Sequence, residues 1–180
     1  MTVFFTADTH FSHARIIEMC KRPFSCVEEM DEAMVRRWNE RVRPDDTVYH
    51  LGDFTLKGPD VARRFKQRLM GRIHLVVGNH DRESVINEVE WEDTYYMAVG
   101  KFDGQDMTLC HYAMRVWRKS HHGALMLYGH SHGNLPGNNQ SLDVGVDAWD
   151  FRPVTLPEIR ARMSKLPAYS SGDHHVAGIR

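Results

Sequence analysis

Ile73-His74-Leu75-Val76-Val77-Gly78-Asn79-His80-Asp81 is the stretch that decides how this chain folds. A short run of strand character ends in a glycine, and chemistry-bearing side chains follow at once. The pattern recurs: Val3-Phe4-Phe5-Thr6-Ala7 leads into Asp8-Thr9-His10, Val48-Tyr49-His50-Leu51 into Gly52-Asp53, and Ala124-Leu125-Met126-Leu127-Tyr128 into Gly129-His130-Ser131-His132. A weaker run, Met107-Thr108-Leu109-Cys110, ends at His111. In layered α/β proteins sites assemble at the carboxyl ends of strands, so these distant residues can converge. Glycines directly before Asp53, Asn79 and His130 relieve the crowding of sharp strand-to-loop turns.

Between the strands the pattern turns helical. Ala14 to Cys20 has room for a short helix. Ser25-Cys26-Val27-Glu28 fits a capping box, after which Val27, Met30, Met34, Trp38 and Val42 recur at helical spacing until Pro44. Pro59 at a first-turn position, then Val61, Ala62, Phe65 and Leu69 before Gly71, give another helix. Tyr95–Val99 and Met107–Cys110 flank Gly100-Lys101-Phe102-Asp103-Gly104 as strand, turn and strand, Ser141–Val146 is a further strand, and Pro157–Ser164 a final helix. This order predicts one α/β sandwich over residues 1–165, and residues 166–180, with His174-His175, as a loose tail.

The 180 residues suffice for one domain that buries roughly 70% of its unfolded surface. Hydrophobic residues make up 42% and charged residues 26%, the balance of a globular protein, and the departure is 12 His. A net charge of -1 provides no global field toward long nucleic acid or membrane. No apolar stretch approaches the ~20 residues of a membrane span, and no basic leader precedes the first strand. Three Cys (Cys20, Cys26, Cys110) without CxxC spacing argue against a disulfide framework, so the expected compartment is the reducing cytoplasm.

The donors at the strand ends are carboxylates, imidazoles and an amide oxygen, without thiolate. That set suits Mn²⁺, Fe or Zn²⁺ better than a structural Cys-type zinc site. Asp8 and His10 stand two apart and face the same way on a strand, or chelate from a loop if the chain turns at Thr9. His130 and His132 share that spacing, and two ions about 3.5–4 Å apart could divide them. Asp53, with two oxygens, is the natural bridge.

The ordered set D-x-H, G-D, G-N-H-[DE], H and G-H-x-H resembles the calcineurin-like metallophosphoesterases, from Thr2 to about Pro157. Within them it looks most like a short, cap-less bacterial or phage-type group with an Asp-Thr-His-Phe-x-His opening. The resemblance implies a four-layer αββα sandwich, two mixed β-sheets flanked by helices. It also implies two divalent metal ions, one held by Asp8, His10, Asp53 and His132, the other by Asp53, Asn79, His111 and His130. Mn²⁺ is the expected ion, with Fe, Zn²⁺ or Ni²⁺ acceptable to the same donors.

The reaction expected of such a site follows from charge. A phosphate ester anion repels hydroxide; two ions would offset that repulsion and let a bridging water lose its proton for in-line attack. The leaving group then needs a proton. His80, left over once the metal ligands are assigned, is the candidate acid, as in the related family, and Asp81 could orient it. His13, Arg82 and Arg115 are candidate substrate contacts, guanidinium geometry suiting phosphate oxygens. His121 and His122 could line the entrance. His50 and His74, inside apolar strands, read as core histidines. With no inserted cap the site should be open, which favours phosphodiesters, cyclic nucleotides and short oligonucleotides included. Alternatives are a phosphomonoesterase on a nucleotide or phosphoprotein, and a non-catalytic protein-binding scaffold on the same fold.

Overall fold

The computed structural model describes residues 1–170. In chain order the elements are β1 (Val3–Thr6), α1 (Arg15–Met19), α2 (Val27–Asn39), β2 (Thr47–His50), α3 (Pro59–Lys66), β3 (Arg72–Val76), α4 (Glu83–Glu88), β4 (Thr94–Tyr95), β5 (Met97–Phe102), β6 (Gln105–Cys110), β7 (Leu125–Tyr128), β8 (Ser141–Asp143), β9 (Val154–Thr155) and α5 (Leu156–Met163). They build two mixed sheets. The first has the order β4-β3-β2-β1-β9, parallel except for β9; the second has the order β5-β6-β7-β8, parallel except for β5.

The two-residue period of each strand sorts its side chains between layers. Phe5, Leu51 and Val76 of the first sheet meet Met107, Leu109, Leu125 and Leu127 of the second in a shared intersheet core. The opposite faces of β1 to β3 carry Phe4, Val48, Ile73 and Leu75 against Met30, Met34, Trp38, Ala62 and Phe65 of α2 and α3. α5 packs Leu156, Ile159 and Met163 into the intersheet core. The layer over the outer face of the second sheet is slight in this chain: Met126 and Tyr128 are covered by Met114, Trp117 and Tyr169.

Because β1, β2 and β3 run parallel, as do β6, β7 and β8, their carboxyl ends open on one side of the molecule. There the sheets join through a parallel bridge between Ala7 and Gly145. Every strand-end segment singled out in the sequence emerges at this seam.

Several boundaries differ from expectation. The hairpin between β5 and β6 turns only at Asp103-Gly104, because both residues take positive φ (48° and 78°) and close a tight turn, so Gly100-Lys101-Phe102 stays in the strand. The helix expected from Ser25 starts one residue later, so Glu29 rather than Glu28 reaches back, accepting the Ser25 N–H and hydroxyl at 2.8 and 2.5 Å. β8 stops at Asp143, and Val146–Ala148 is a 3-10 turn. The expected tail does not begin at Leu166: Leu166 packs on the intersheet core, Pro167 accepts the Asn139 N–H, and Tyr169 donates its hydroxyl to the Arg115 carbonyl. His174-His175 lies outside the described residues. Among the described residues no helix is long and apolar enough to cross a membrane.

Candidate metal centre

The segment after β1 and the segment after β2 continue pairing beyond the regular strands. Asp8 N–H donates to Gly52 O at 2.9 Å, His10 N–H to Asp53 O at 3.0 Å and Phe11 N–H to Phe54 O at 2.9 Å. This continuation requires unusual backbone: φ is 58° at Asp8, 50° at His10, 60° at Asp53, 66° at His130 and 48° at His132. Non-glycine residues rarely adopt such values, Asp and His somewhat more readily than most. Gly52 (φ 93°) has no such freedom to give up, since a Cβ there would come within 2.6 Å of the Gly78 backbone and of His111 Nδ1. At Gly78 a Cβ would run into the Asp53 carboxylate.

The sequence-predicted ligands converge as two groups. Donor atoms of Asp8, His10 and His132 lie within 4.8 Å of one another, and so do those of Asp53, His111 and His130. Asp53 stands between them: its Oδ2 is 3.5 Å from His10 Nε2 and 3.5 Å from His111 Nε2. Asn79 joins the second group, its Oδ1 lying 3.0 Å from His111 Nε2. Asp8, His10, Asp53 and His111 are buried, whereas Asn79 and His130 are exposed, so the centre has a buried floor and an open side.

The hydrogen bonds test whether these residues fit cations. His111 Nδ1–H donates to the Leu51 carbonyl at 2.8 Å, which turns the Nε2 lone pair toward Asn79 Oδ1 and Asp53 Oδ2. Three acceptors facing one another need a proton or a cation between them. His132 Nδ1–H donates to Asp147 Oδ2 at 2.7 Å, leaving its Nε2 free. Both ring nitrogens of the buried His10 lack a hydrogen-bond partner. Without ions the charges are under stress: burial pushes the Asp8 carboxyl up to about 7 and the His10 imidazole down to about 2. Burial also opposes ionisation of Asp53, but the His111 hydrogen bond and charge outweigh it and hold that carboxyl at about 2. The donor set fits divalent cations.

A sequence model of the Calcineurin-like phosphoesterase superfamily domain matches residues 1–143. The chain belongs to that superfamily. An uncharacterised protein of the archaeon Methanocaldococcus jannaschii is 32% identical over 163 residues, spanning 86% of each chain. The gene 66 protein of Mycobacterium phage L5 is 28% identical, over 86% of this chain and 90% of its own length. A crystal structure from Aquifex aeolicus of a protein of unknown function superposes with a TM-score of 0.70 at 23% identity, over 89% of this chain and 98% of that one, which shows the shared fold. As a calcineurin-like phosphoesterase the chain is a metal-dependent hydrolase of phosphate esters.

Around the calcineurin-like core the remaining candidates divide. His80 is exposed and its ring stands edge-on to His10, centroids 5.5 Å apart. His13, half-buried, lies 5.5 Å from His10 on another side. Asp81 does not orient His80. Its Oδ2 accepts the N–H groups of Asp53 and Gly78, both at 2.8 Å, and its Oδ1 that of Phe54 at 2.9 Å, so it fixes the loop that presents Asp53. Arg82 and Arg115 are exposed, and among the described residues neither guanidinium makes a hydrogen bond or ion pair. His121 and His122 form a turn at the amino end of β7, away from the carboxyl ends where the site lies. His50 is a core histidine, buried with Nε2 2.9 Å from Thr9 Oγ1, whereas His74 is only half-buried, stacking on Tyr49 with Nδ1 3.4 Å from Asp93 Oδ2.

The sequence reading missed Arg22, Asp143 and Asp147. Asp143 accepts the Gly133 and Gly145 N–H groups at 2.9 and 2.7 Å and so braces the segment after His132. Arg22 binds the Asp8 and Thr9 carbonyls and the Asp147 carboxylate. Neither sits in a recognisable block; the only signal is the basic residue in Lys21-Arg22-Pro23-Phe24, and its partner lies 125 residues away. Cys20 also comes within 4.8 Å of donor atoms of His132 and Asp147. Those two already bond each other, and burial, with the Asp147 charge, pushes the thiol pKa up.

Proposed function

We propose that this calcineurin-like phosphoesterase is a dinuclear-metal phosphodiesterase, with Mn²⁺ as the working ion. The observation that carries the reading is the single oxygen Asp53 Oδ2 standing 3.5 Å from an imidazole nitrogen of each donor group. One carboxylate shared by two otherwise separate donor sets is the arrangement expected of a two-ion centre. Two ions there would supply positive charge for the phosphoryl oxygens and an acidified water.

The chain's own residues supply the rest. Asp8, His10, Asp53 and His132 hold one ion, and Asp53, Asn79, His111 and His130 the other. Exposed His80, beside them, delivers the proton to the departing oxygen. His13 borders the same opening and contacts the ester. The exposed positions of Asn79, His80 and His130 leave room for a second ester substituent, which supports diesters over monoesters. Substrates of suitable size are small phosphate esters, cyclic nucleotides and short oligonucleotides.

The test compares Mn²⁺-dependent hydrolysis of bis(p-nitrophenyl) phosphate and p-nitrophenyl phosphate, with metal content assayed on the same sample. Two ions per chain with diester preference is the expected result. A monoester preference overturns the open-site argument, and bound metal with neither ester cleaved overturns the enzymatic reading.

A further inference from the structure

Arg22 is buried, 4% exposed, on the turn after α1, and every N–H of its guanidinium is engaged. Nε donates to Asp147 Oδ1 at 2.8 Å and Nη2 to Asp147 Oδ2 at 2.8 Å, a two-pronged pairing. Nη2 also donates to the Asp8 carbonyl at 2.7 Å, and Nη1 to the Thr9 carbonyl at 3.1 Å and to Met30 Sδ at 3.4 Å. Asp147 Oδ2 in turn accepts the Nδ1–H of His132.

One planar cation therefore sets two things at once. It fixes the main chain of the segment that carries Asp8 and His10, where the backbone is held at positive φ. Through Asp147 it also fixes the tautomer and rotation of the His132 ring. These are the ligands of one donor group. The other group has supports of its own: His111 rests on the Leu51 carbonyl, and Asp53 is held by Asp81 and the His80 N–H, while one tie crosses between the groups, the His130 N–H donating to the Asp8 carboxylate at 3.0 and 2.9 Å. None of the Arg22 bonds reaches Asn79, His111 or His130.

We propose that Arg22 and Asp147 are positioning residues for one ion only, setting the affinity of the half-site formed by Asp8, His10 and His132 while the His111–His130 half-site stands without them. The proposal rests on the two-ion reading above. A lysine at position 22 could keep the charge but not span two carbonyls and both carboxylate oxygens, since its donors radiate from one atom. An asparagine at position 147 can present an N–H to His132 Nδ1, which would place the ring proton on Nε2 and remove the lone pair a cation needs.

The experiment strips the full-length protein with chelator and titrates it with Mn²⁺, following stoichiometry and stepwise affinity by calorimetry and spin coupling by electron paramagnetic resonance. Arg22→Lys and Asp147→Asn are compared with wild type, and their melting temperatures are taken in chelator. Loss of such an outer support weakens metal affinity by about 10- to 100-fold. The expected result is that drop for one ion in both variants, a clearly smaller change for the other ion, which none of the Arg22 bonds reaches, and the coupled Mn²⁺ spectrum replaced by that of isolated ions at subsaturating metal. The double variant should bind little worse than either single one, because the two residues act in series. Equal weakening of both ions alongside a lower melting temperature would reduce the pair to general structural support and overturn the proposal. Two ions bound in both variants with wild-type affinity would overturn it alone, whereas a wild type holding a single ion overturns the two-ion reading and this proposal with it.

Discussion

The main-chain N–H of His80 donates to Asp53 Oδ1 at 2.9 Å, so the candidate acid and the proposed shared ligand are held in one frame. The other oxygen of that carboxylate faces His10 and His111. Asp53→Asn keeps the size but turns a charged bridge into a neutral amide. Metal analysis should show loss of at least one ion per chain. Diester hydrolysis should fall by roughly 100-fold or more, the scale on which removal of electrostatic stabilisation acts.

His80→Ala leaves every assigned ligand in place. Both ions should remain by metal analysis, and turnover should drop by about 10²–10⁴-fold on an alkyl ester, whose leaving group needs a proton. The loss on a p-nitrophenyl ester should be much smaller. Equal rates for wild type and variant on the alkyl ester would remove His80 from the acid role.

Asp81 gives a contrasting case. Asp81→Ala strips the acceptor from three buried N–H groups, and a single unsatisfied buried group costs about 1–3 kcal/mol. Denaturant unfolding should show a loss of about 3 kcal/mol, again on that per-group scale. The ratio of alkyl to p-nitrophenyl turnover should stay at the wild-type value, because the proton donor is untouched. A ratio shifted as in His80→Ala would restore Asp81 to the acid's side.

Asp31 predicts a pH dependence. It is buried and accepts the Ser12 N–H and hydroxyl; burial outweighs those bonds and raises its carboxyl from 3.8 to about 6. A raised carboxyl favours the protonated folded state. Its contribution is complete below pH 3.8, declines as the unfolded chain alone loses the proton, and is gone above about pH 6. Asp31→Asn cannot titrate, so relative to wild type in chelator it should gain about 2 kcal/mol between pH 4 and pH 7. A constant difference across that range would refute the shift.

What the sequence disclosed, and what it hid, has a physical pattern. Candidate ligands such as Asp8, Asp53 and His130 were legible because each follows an apolar run whose parallel direction places its end at the seam. The apolar run Ala124–Tyr128 was enough to predict a strand, which the structure shows as Leu125–Tyr128. Arg22 and Asp147 were not legible, since their pairing depends on tertiary proximity and neither breaks a local pattern. Asp81 was read for its neighbour in sequence, yet its carboxylate turns back to the main chain. β4, β9 and α4 were too short to impose a period. The hairpin turn was drawn too long, from Gly100 to Gly104, because only Asp103-Gly104, with two consecutive positive φ angles, makes the turn.

The left-handed backbone at Asp8, His10, Asp53, His130 and His132 carries a consequence for how such a chain can change. Glycine would adopt those angles without steric conflict, while each non-glycine residue there costs on the order of 1 kcal/mol. Glycine at any of the five would relieve that strain only by erasing a donor atom, and at Asp8 and Asp53 it would also strip the acceptor from the His130 and His80 N–H groups. Engineered thermostability in this fold has to be sought elsewhere, because at these positions sturdiness and usefulness pull in opposite directions.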